Sequence, residues 1–507
     1  MTASSSTTPV RTITSQWIGG DWTPSSADSA LPVIDPSDGS VVAQVPAGTA
    51  SDARRAVAAA RAAQPGWAAT PVKDRLRFLE RLVGRLAARS AELADTITTE
   101  VGAPVAVARG AQVGLAIGIA ESFLGITADF AFERRVGNSL VVREPAGVVA
   151  AITPWNMPLL LALQKIVPAL MAGCCVVHKP SELTPLHACL LAEVIAESGL
   201  PPGVFNMVIG EGPVVGAALA ADPDVDLVSF TGSVRAGREV GRLGAERIGR
   251  VHLELGGKSA SLVLEDADLA TAVRATVDQM CFNTGQACLQ WSRLLVPADR
   301  HEEALELARQ VAEGYRVGPP RGPDTDLGPL VSAAALERVR GYIRTGVEEG
   351  ARLVTGGPEP VDGLGAGYYV RPTVFGGVTE SMTIAREEIF GPVLSVMPYP
   401  DEDEAVRIAD NTPYGLHGSV WAGDLERARQ VAARLRTGQV DLNGGQFNIL
   451  APFGGMKGSG IGRECGAEGL DGFCEIKSLQ LPVAADESAE PVGPRLRADA
   501  EAGGGDR

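Results

Sequence analysis

At Gly147 the hydrophobic rhythm of the chain changes, and little else in the sequence restricts its fold as tightly. Five runs from there read as strands: Val148 to Thr153, Cys174 to His178, Phe205 to Ile209, Leu227 to Phe230 and Val251 to Leu255, with helical spacing between them. Each run is almost continuously apolar, as in a strand buried on both faces. Buried strands that alternate with helices form a parallel, doubly wound sheet. The fold class is therefore α/β, with a Rossmann-like doubly wound domain and a second α/β series from near Ser259 to about Phe453. Upstream, between Ala50 and Ala108, apolar residues recur at three- and four-residue intervals, as in Leu76, Leu79, Leu82 and Leu86, which predicts long amphipathic helices as cover. A chain of 507 residues exceeds one ordinary core, so two or three sub-structures share it.

Charge and cysteine usage narrow the function. The net charge of −16 argues against a nucleic-acid partner, and the arginines from Arg75 to Arg89 alternate with Leu and Ala as on a solvated helix face. The apolar stretch Met157 to Val177 is interrupted by Pro158, Gln164, Lys165 and Pro168, so it reads as a buried helix and strand, and no membrane partner is expected. Seven cysteines without paired spacing suggest free thiols in a reducing cytoplasm, and no basic segment followed by an apolar run marks a secretory signal. No metal site is read. Residues 1–12 and 484–507 are expected to be disordered.

Several segments carry chemistry. Thr153-Pro154-Trp155-Asn156-Met157-Pro158 follows a buried strand; its two prolines suit a loop that aims the Asn156 amide at a developing oxyanion, although a capping Asn would read alike. Lys179 and Glu182 emerge at the carboxyl edge of the sheet, where an acid can accept ribose hydroxyls and repel a 2′-phosphate, or be an ordinary surface carboxylate. In Phe230-Thr231-Gly232-Ser233 a strand runs into a helix, whose free amides favour a pyrophosphate, yet a Gly-Ser turn caps other helices equally well. Glu254-Leu255-Gly256-Gly257-Lys258 sets a carboxylate beside two glycines, able to activate water. Gly285-Gln286-Ala287-Cys288 suggests a turn that exposes Cys288, where a lone cysteine is otherwise a core residue.

Taken in order, Pro154-Trp155-Asn156, Glu254 to Lys258, Gly285 to Cys288 and Glu387-Glu388-Ile389-Phe390-Gly391-Pro392 resemble the motif set of the aldehyde dehydrogenase superfamily. Asn411 to Leu416 and Pro452 to Lys457 extend the likeness, which runs from about Gln16 to Leu481. The resemblance implies a non-acylating NAD-dependent enzyme that oxidises an aldehyde, with Cys288 as nucleophile and Glu254 as base for thioester hydrolysis. Asn156 with the Cys288 amide is similar to the family's oxyanion hole, and Lys165 to a basic residue near its water relay.

For the cofactor, the resemblance implies Lys179 and Glu182 at the adenosine ribose, Gly232 and Ser233 at the pyrophosphate, and Glu388 with Phe390 at the nicotinamide ribose. Ile152, Thr153, Pro154, Trp155, Ser181, Gly212, Phe230, Gly237, Leu255 and Gly256 are implied as further contacts. Glu182 favours NAD over NADP. Met157, Leu161, Gln164, Leu289, Phe447 and Phe453 are expected around a hydrophobic, uncharged aldehyde, and no arginine stands out as a partner for a substrate carboxylate.

The family layout divides the chain into a cofactor domain over 13–126 and 147–256 and a catalytic domain over 257–458. A β oligomerisation flap over 127–146 and 459–483 implies a homodimer or homotetramer. Two alternatives stay open: a catalytically idle relative that keeps the fold, and a cofactor-independent thiol esterase using the same Cys288 and Glu254.

Overall fold

The computed structural model describes residues 10–482. All five expected strands form one eight-stranded sheet, in the order Gly460–Ile461, Arg250–Glu254, Leu227–Thr231, Val148–Ile152, Cys175–Lys179, Phe205–Met207, Ser15–Ile18, Asp21–Pro24. The middle five strands are parallel, and antiparallel strands close both edges. From the central strand Val148–Ile152 the chain builds outward to Phe205–Met207, then crosses back to add Leu227–Thr231 and Arg250–Glu254 on the other side. Loops after Ile152 and Thr231 therefore leave in opposite directions, and a crevice opens between them at the carboxyl edge.

Burial explains the apolar runs. Every residue of helix Pro158–Ala172 is buried, and the helix stops at Gly173, whose φ of 98° is the left-handed conformation a helix end uses. The amphipathic cover consists of helices Ala50–Ala68, Val72–Ala88 and Ser90–Val101, with Leu79, Leu82 and Leu86 fully buried. Arg75 departs from the expected solvated face: it is buried, and a Cβ on Gly173 would lie 2.1 Å from its Nη1. The next helical stretch, Val105–Asp129, is long and apolar enough by length and composition to cross a membrane. Ala116, Ile119 and Phe123 nevertheless pack inside the protein, as in a core helix. Its segment Ala108–Gly114 is a π-helix.

A second, seven-stranded sheet runs Arg352–Thr355, Thr373–Gly376, Val393–Tyr399, Trp291–Pro297, Ser259–Val263, Gly418–Trp421, Asp441–Leu442. The two-residue periodicity of a strand sends Leu262 to the core around Phe375 and Val420, and Val263 to the core around Leu294 and Trp421.

The chain divides into a large unit, Met1–Phe130 with Glu144–Glu475, and a small one, Ala131–Arg143 with Ile476–Arg507. A three-stranded sheet, Cys474–Gln480, Ser139–Pro145, Glu133–Val136, marks the small unit and leaves Val136, Ile476 and Leu479 exposed. The division is narrower than the expected flap over 127–146 and 459–483. Residues 127–129 still belong to helix Leu115–Asp129, and Gly460–Ile461 pairs with the eight-stranded sheet. At the N-terminus Arg11–Thr12 is a strand paired with Val41–Pro46, inside the segment expected to lack order, because its amides find a parallel partner. The other residues of the two expected disordered ends, 1–9 and 484–507, lie outside the described residues.

Replacing Leu82 by Ala removes a fully buried side chain from the helical cover. The variant is expected to lose about 2–5 kcal/mol of stability, read as a lower denaturation midpoint in urea.

Candidate active site

A cavity of about 140 Å³ sits at the carboxyl edge of the first sheet. Its wall comes from three strand ends, Pro154, Trp155 and Asn156 after one, Thr231, Gly232 and Ser233 after the next, and Glu254, Leu255 and Gly256 after the third. Cys288, Leu161, Arg338, Glu388 and Phe390 complete it. The crevice that the strand order predicts is thus where the sequence-predicted nucleophile, amide and carboxylate come together.

Cys288 owes its position to a turn with three successive left-handed residues, Asn283 (φ 52°), Thr284 (φ 57°) and Gly285 (φ 72°). Only glycine fits the last, since a Cβ there would meet the Gly391 carbonyl carbon at 2.2 Å. Cys288 opens partly onto the cavity, yet protein surrounds it on the other sides. Burial, with the Glu388 and Glu254 carboxylates adding to it, pushes its thiol up to about 12, so the resting group is a thiol and needs a base to ionise. Asn156 is buried, and its Nδ2 donates to the Gln286 carbonyl at 2.9 Å.

Glu254 ends strand Arg250–Glu254 with both carboxyl oxygens buried; no partner meets hydrogen-bond geometry, although the nearby Gly455 amide favours the ionised form. Burial and then the nearby Glu464 hold its carboxyl well above the usual range, against the pull of Lys165 and Arg463. Lys165, on the buried helix, forms an ion pair with Glu464, both side chains almost fully enclosed. Glu464 has no motif around it and was not read from the sequence; its place follows from the pairing of Gly460–Ile461 with the sheet edge.

The remaining wall fits a dinucleotide. Thr231 Oγ1 is buried without a partner beside the cavity, a donor left for a ligand. Ser233 caps the thirteen-residue helix Val234–Glu246, its Oγ accepting from the Ala236 amide at 3.2 Å. Close approach is built in at Gly256, where a Cβ would lie 2.1 Å from Glu388 Oε2, and at Gly237, where it would press on Leu255 at 2.4 Å. Glu388 Oε1 accepts from the Gly257 amide at 3.2 Å, and Trp155 meets Phe390 edge-on with ring centroids 5.4 Å apart.

Lys179, Ser181, Glu182 and Gly212 lie along the same edge but outside this cavity, with Lys179 Nζ donating to Glu182 Oε2 at 2.9 Å. Ile152 and Phe230 are strand residues, and Thr153 Oγ1 pairs with His178 Nε2 at 2.9 Å. Arg338 is a wall residue that sequence reading missed; it sits on an amphipathic helix without a motif and donates to the Glu388 carbonyl at 2.6 Å.

Of the six residues expected around the aldehyde, Leu161 lines the cavity that holds Cys288, and Met157, Gln164, Leu289, Phe447 and Phe453 lie outside that cavity's wall. Gln164 instead turns to Cys465, donating to its Sγ at 3.2 Å, and Phe447 stacks edge-on against Phe453 at 5.7 Å. The Leu289 carbonyl is held by His417 Nδ1 at 2.8 Å.

The family model described as the aldehyde dehydrogenase family matches residues 22–479. A 3-succinoylsemialdehyde-pyridine dehydrogenase from a Pseudomonas species is 49% identical over 91% of this chain and 97% of its own length. Among solved structures, a cysteine-to-alanine mutant of a Pseudomonas syringae aldehyde dehydrogenase, complexed with NAD+ and octanal, superposes with a TM-score of 0.91 at 46% identity. That match covers 92% of this chain and 96% of the other. A Mycobacterium tuberculosis aldehyde dehydrogenase complexed with NAD+ has a TM-score of 0.91 at 43% identity, over 94% and 99% of the two chains.

A methyl group at position 256 has no room beside Glu388. Gly256→Ala is therefore expected to fold but to displace that carboxylate and weaken NADH binding about tenfold in a fluorescence titration, the overpacking of one methyl costing about 1–3 kcal/mol.

Proposed function

The chain belongs to the aldehyde dehydrogenase family and is an NAD-dependent aldehyde dehydrogenase; from that premise we propose that it oxidises a hydrophobic, uncharged aldehyde to its acid through a thioester on Cys288. The observation that carries this reading is the convergence of Cys288, Asn156 and Glu254 on one cavity at the carboxyl edge of the sheet.

The thiol of Cys288 gives its proton to a base and its sulfur attacks the aldehyde carbon. Negative charge then gathers on the former carbonyl oxygen, where the Asn156 amide and the Cys288 backbone amide hold it. Such a donor contributes on the order of 3 kcal/mol in the transition state. Bound NAD+ supplies the hydride acceptor. With the hydride gone from the hemithioacetal carbon, the acyl group remains on sulfur as a thioester.

Glu254 takes a proton from water, the hydroxide adds to the acyl carbon, and the thiolate leaves as the acid forms. Its raised affinity for a proton makes it the stronger base. The Lys165–Glu464 pair lies in the same buried cluster, where Glu464 raises and Lys165 lowers the proton affinity of Glu254. The sum is aldehyde, water and NAD+ to acid, NADH and one proton.

Several finer readings belong to the same proposal. NAD is preferred to NADP because Glu182, already paired with Lys179, would repel a 2′-phosphate. An apolar substrate is supported by Trp155, Leu161 and Phe390 in the cavity wall, and by the octanal named with the Pseudomonas syringae relative. A homo-oligomer, dimer or tetramer, is supported by the exposed Val136, Ile476 and Leu479 of the small unit. Seven free thiols support a cytoplasmic address.

With octanal and NAD+, Cys288→Ala is expected to lose NADH formation while still binding NADH. Intact-mass measurement of Glu254→Gln after one turnover should find the acyl adduct; an unmodified Glu254→Gln enzyme turning over at the normal rate sinks the assigned base. Because Glu254 works only when deprotonated and its carboxyl is held high, wild-type turnover should rise with pH above the ordinary carboxylate range, and Glu254→Gln should flatten that limb.

A further inference from the structure

Asn156 lies in a loop between strand Val148–Ile152 and helix Pro158–Ala172, where no sheet ladder fixes its carbonyl. Two side-chain amides do so instead. Gln112 Nε2 donates to the Asn156 carbonyl at 2.9 Å, and Asn283 Nδ2 donates to the same oxygen at 3.0 Å. Asn283 Nδ2 also reaches the Gln286 carbonyl at 3.2 Å, which is the oxygen that accepts from the Asn156 side chain. Gln112 Nε2 in turn reaches Asn283 Oδ1 at 3.2 Å. Each amide orientation is fixed by chemistry, since the nitrogens face only carbonyl or amide oxygens.

Both braces are buried, and each sits on unusual backbone. Gln112 belongs to the π-helix Ala108–Gly114, whose wider turn interrupts the α-helical stretch, and Asn283 has a left-handed φ of 52°, which Asn tolerates. Such conformations carry a cost and persist where the surroundings demand them. Asn156 lines the cavity, and neither Gln112 nor Asn283 does.

We propose that Gln112, through Asn283, is a positioning residue for the oxyanion hole: it locks the Asn156 loop to the turn that carries Cys288, so that the second N–H of Asn156 Nδ2 stays aimed at the aldehyde oxygen. This rests on the assignment of Asn156 to the oxyanion hole. A hole built from two separate loops is only as good as their spacing, and a shift of about 1 Å can cost about a hundredfold in rate. Gln112 is the tie contributed by a third part of the chain. It bears no charge, makes no substrate contact and lies forty-four residues from Asn156, which is why no motif reveals it.

Single-turnover NADH formation from octanal and NAD+ tests the proposal. Gln112→Met keeps the bulk and removes the donor; the rate is expected to fall about 10- to 100-fold with the KM for NAD+ unchanged. In an Asn156→Ala background the same substitution should add almost nothing, because the two changes remove one function. Gln112→Glu adds a signature that packing does not produce. Protonated, its carboxyl donates one hydrogen bond to the Asn156 carbonyl; ionised, it faces that oxygen and Asn283 Oδ1 with only acceptors. Its rate should therefore fall as pH rises, opposite to the wild type.

A wild-type rate in Gln112→Met, additive losses in the double variant, or a Gln112→Glu profile parallel to the wild type each overturns the brace while Asn156→Ala remains impaired. A wild-type rate in Asn156→Ala would instead overturn the oxyanion assignment and the brace with it. Should Gln112→Met fail to fold, the pH profile of Gln112→Glu still decides.

Discussion

A two-residue antiparallel pairing, Leu253 with Ile461 and Glu254 with Gly460, ties a late segment of the chain to the edge of the first sheet. Around it the Leu255 amide donates to the Ser459 carbonyl at 2.8 Å, and Ser459 Oγ donates to the Gly256 carbonyl at 2.6 Å while accepting from the Gly415 amide at 2.9 Å. One serine thus connects the strand that ends in Glu254 to the loop before Gly418–Trp421 of the second sheet. The pairing leaves no spare volume: a Cβ on Gly460 would lie 1.9 Å from the Leu253 carbonyl oxygen, and one on Gly454 2.6 Å from Glu254 Oε1. Glycines occupy these positions because the segment approaches backbone to backbone, and through that approach Glu464 arrives beside Lys165.

The charges brought together there would be unstable separately. A buried carboxylate without hydrogen bonds is costly in a medium of low polarity, and two of them near each other more so. Lys165 offsets one by pairing with Glu464, and for Glu254 the cost appears as a raised affinity for a proton. Cys288 follows the same logic: with Glu388 and Glu254 near it and burial around it, its thiol stays protonated. Cys288 and Glu254 both hold a proton more tightly than usual, so the reactivity of the site depends on moving protons out of them. A general base with a high proton affinity is what such a thiol and a water molecule require.

How much of this was legible in the sequence depends on whether the information is local. Strand ends were, because a doubly wound sheet puts ligands at carboxyl edges, and Asn156, Glu254 and Gly232 each follow an apolar run directly. Cys288 was legible only through the ordered set of motifs; by itself it is one cysteine among seven. Long-range partners were not. Gln112 and Asn283 reach Asn156 across 44 and 127 residues, and Glu464 reaches Lys165 across 299, with nothing in their neighbourhoods to mark them. The short N-terminal strands Ser15–Ile18 and Asp21–Pro24 carry no continuous apolar run: only Gln16 and Trp17 are buried in the first, and the second is the sheet edge with no buried residue. The amide of Gln164 likewise finds its partner, the Cys465 sulfur, 301 residues away.

Arg338 bears on what the cavity accepts. It supplies a cation in the wall, where the sequence offered no arginine to hold a substrate carboxylate. Its guanidinium is already engaged, donating to the Glu388 carbonyl at 2.6 Å and lying 5.7 Å from the centre of the Tyr342 ring. The two carboxylates in the same wall, Glu254 and Glu388, would repel an anionic substrate whenever ionised. An acidic aldehyde would therefore have to displace an existing hydrogen bond and approach carboxylates at the same time. A neutral aldehyde meets neither obstacle, and Trp155, Leu161 and Phe390 give its carbon chain apolar surface to cover.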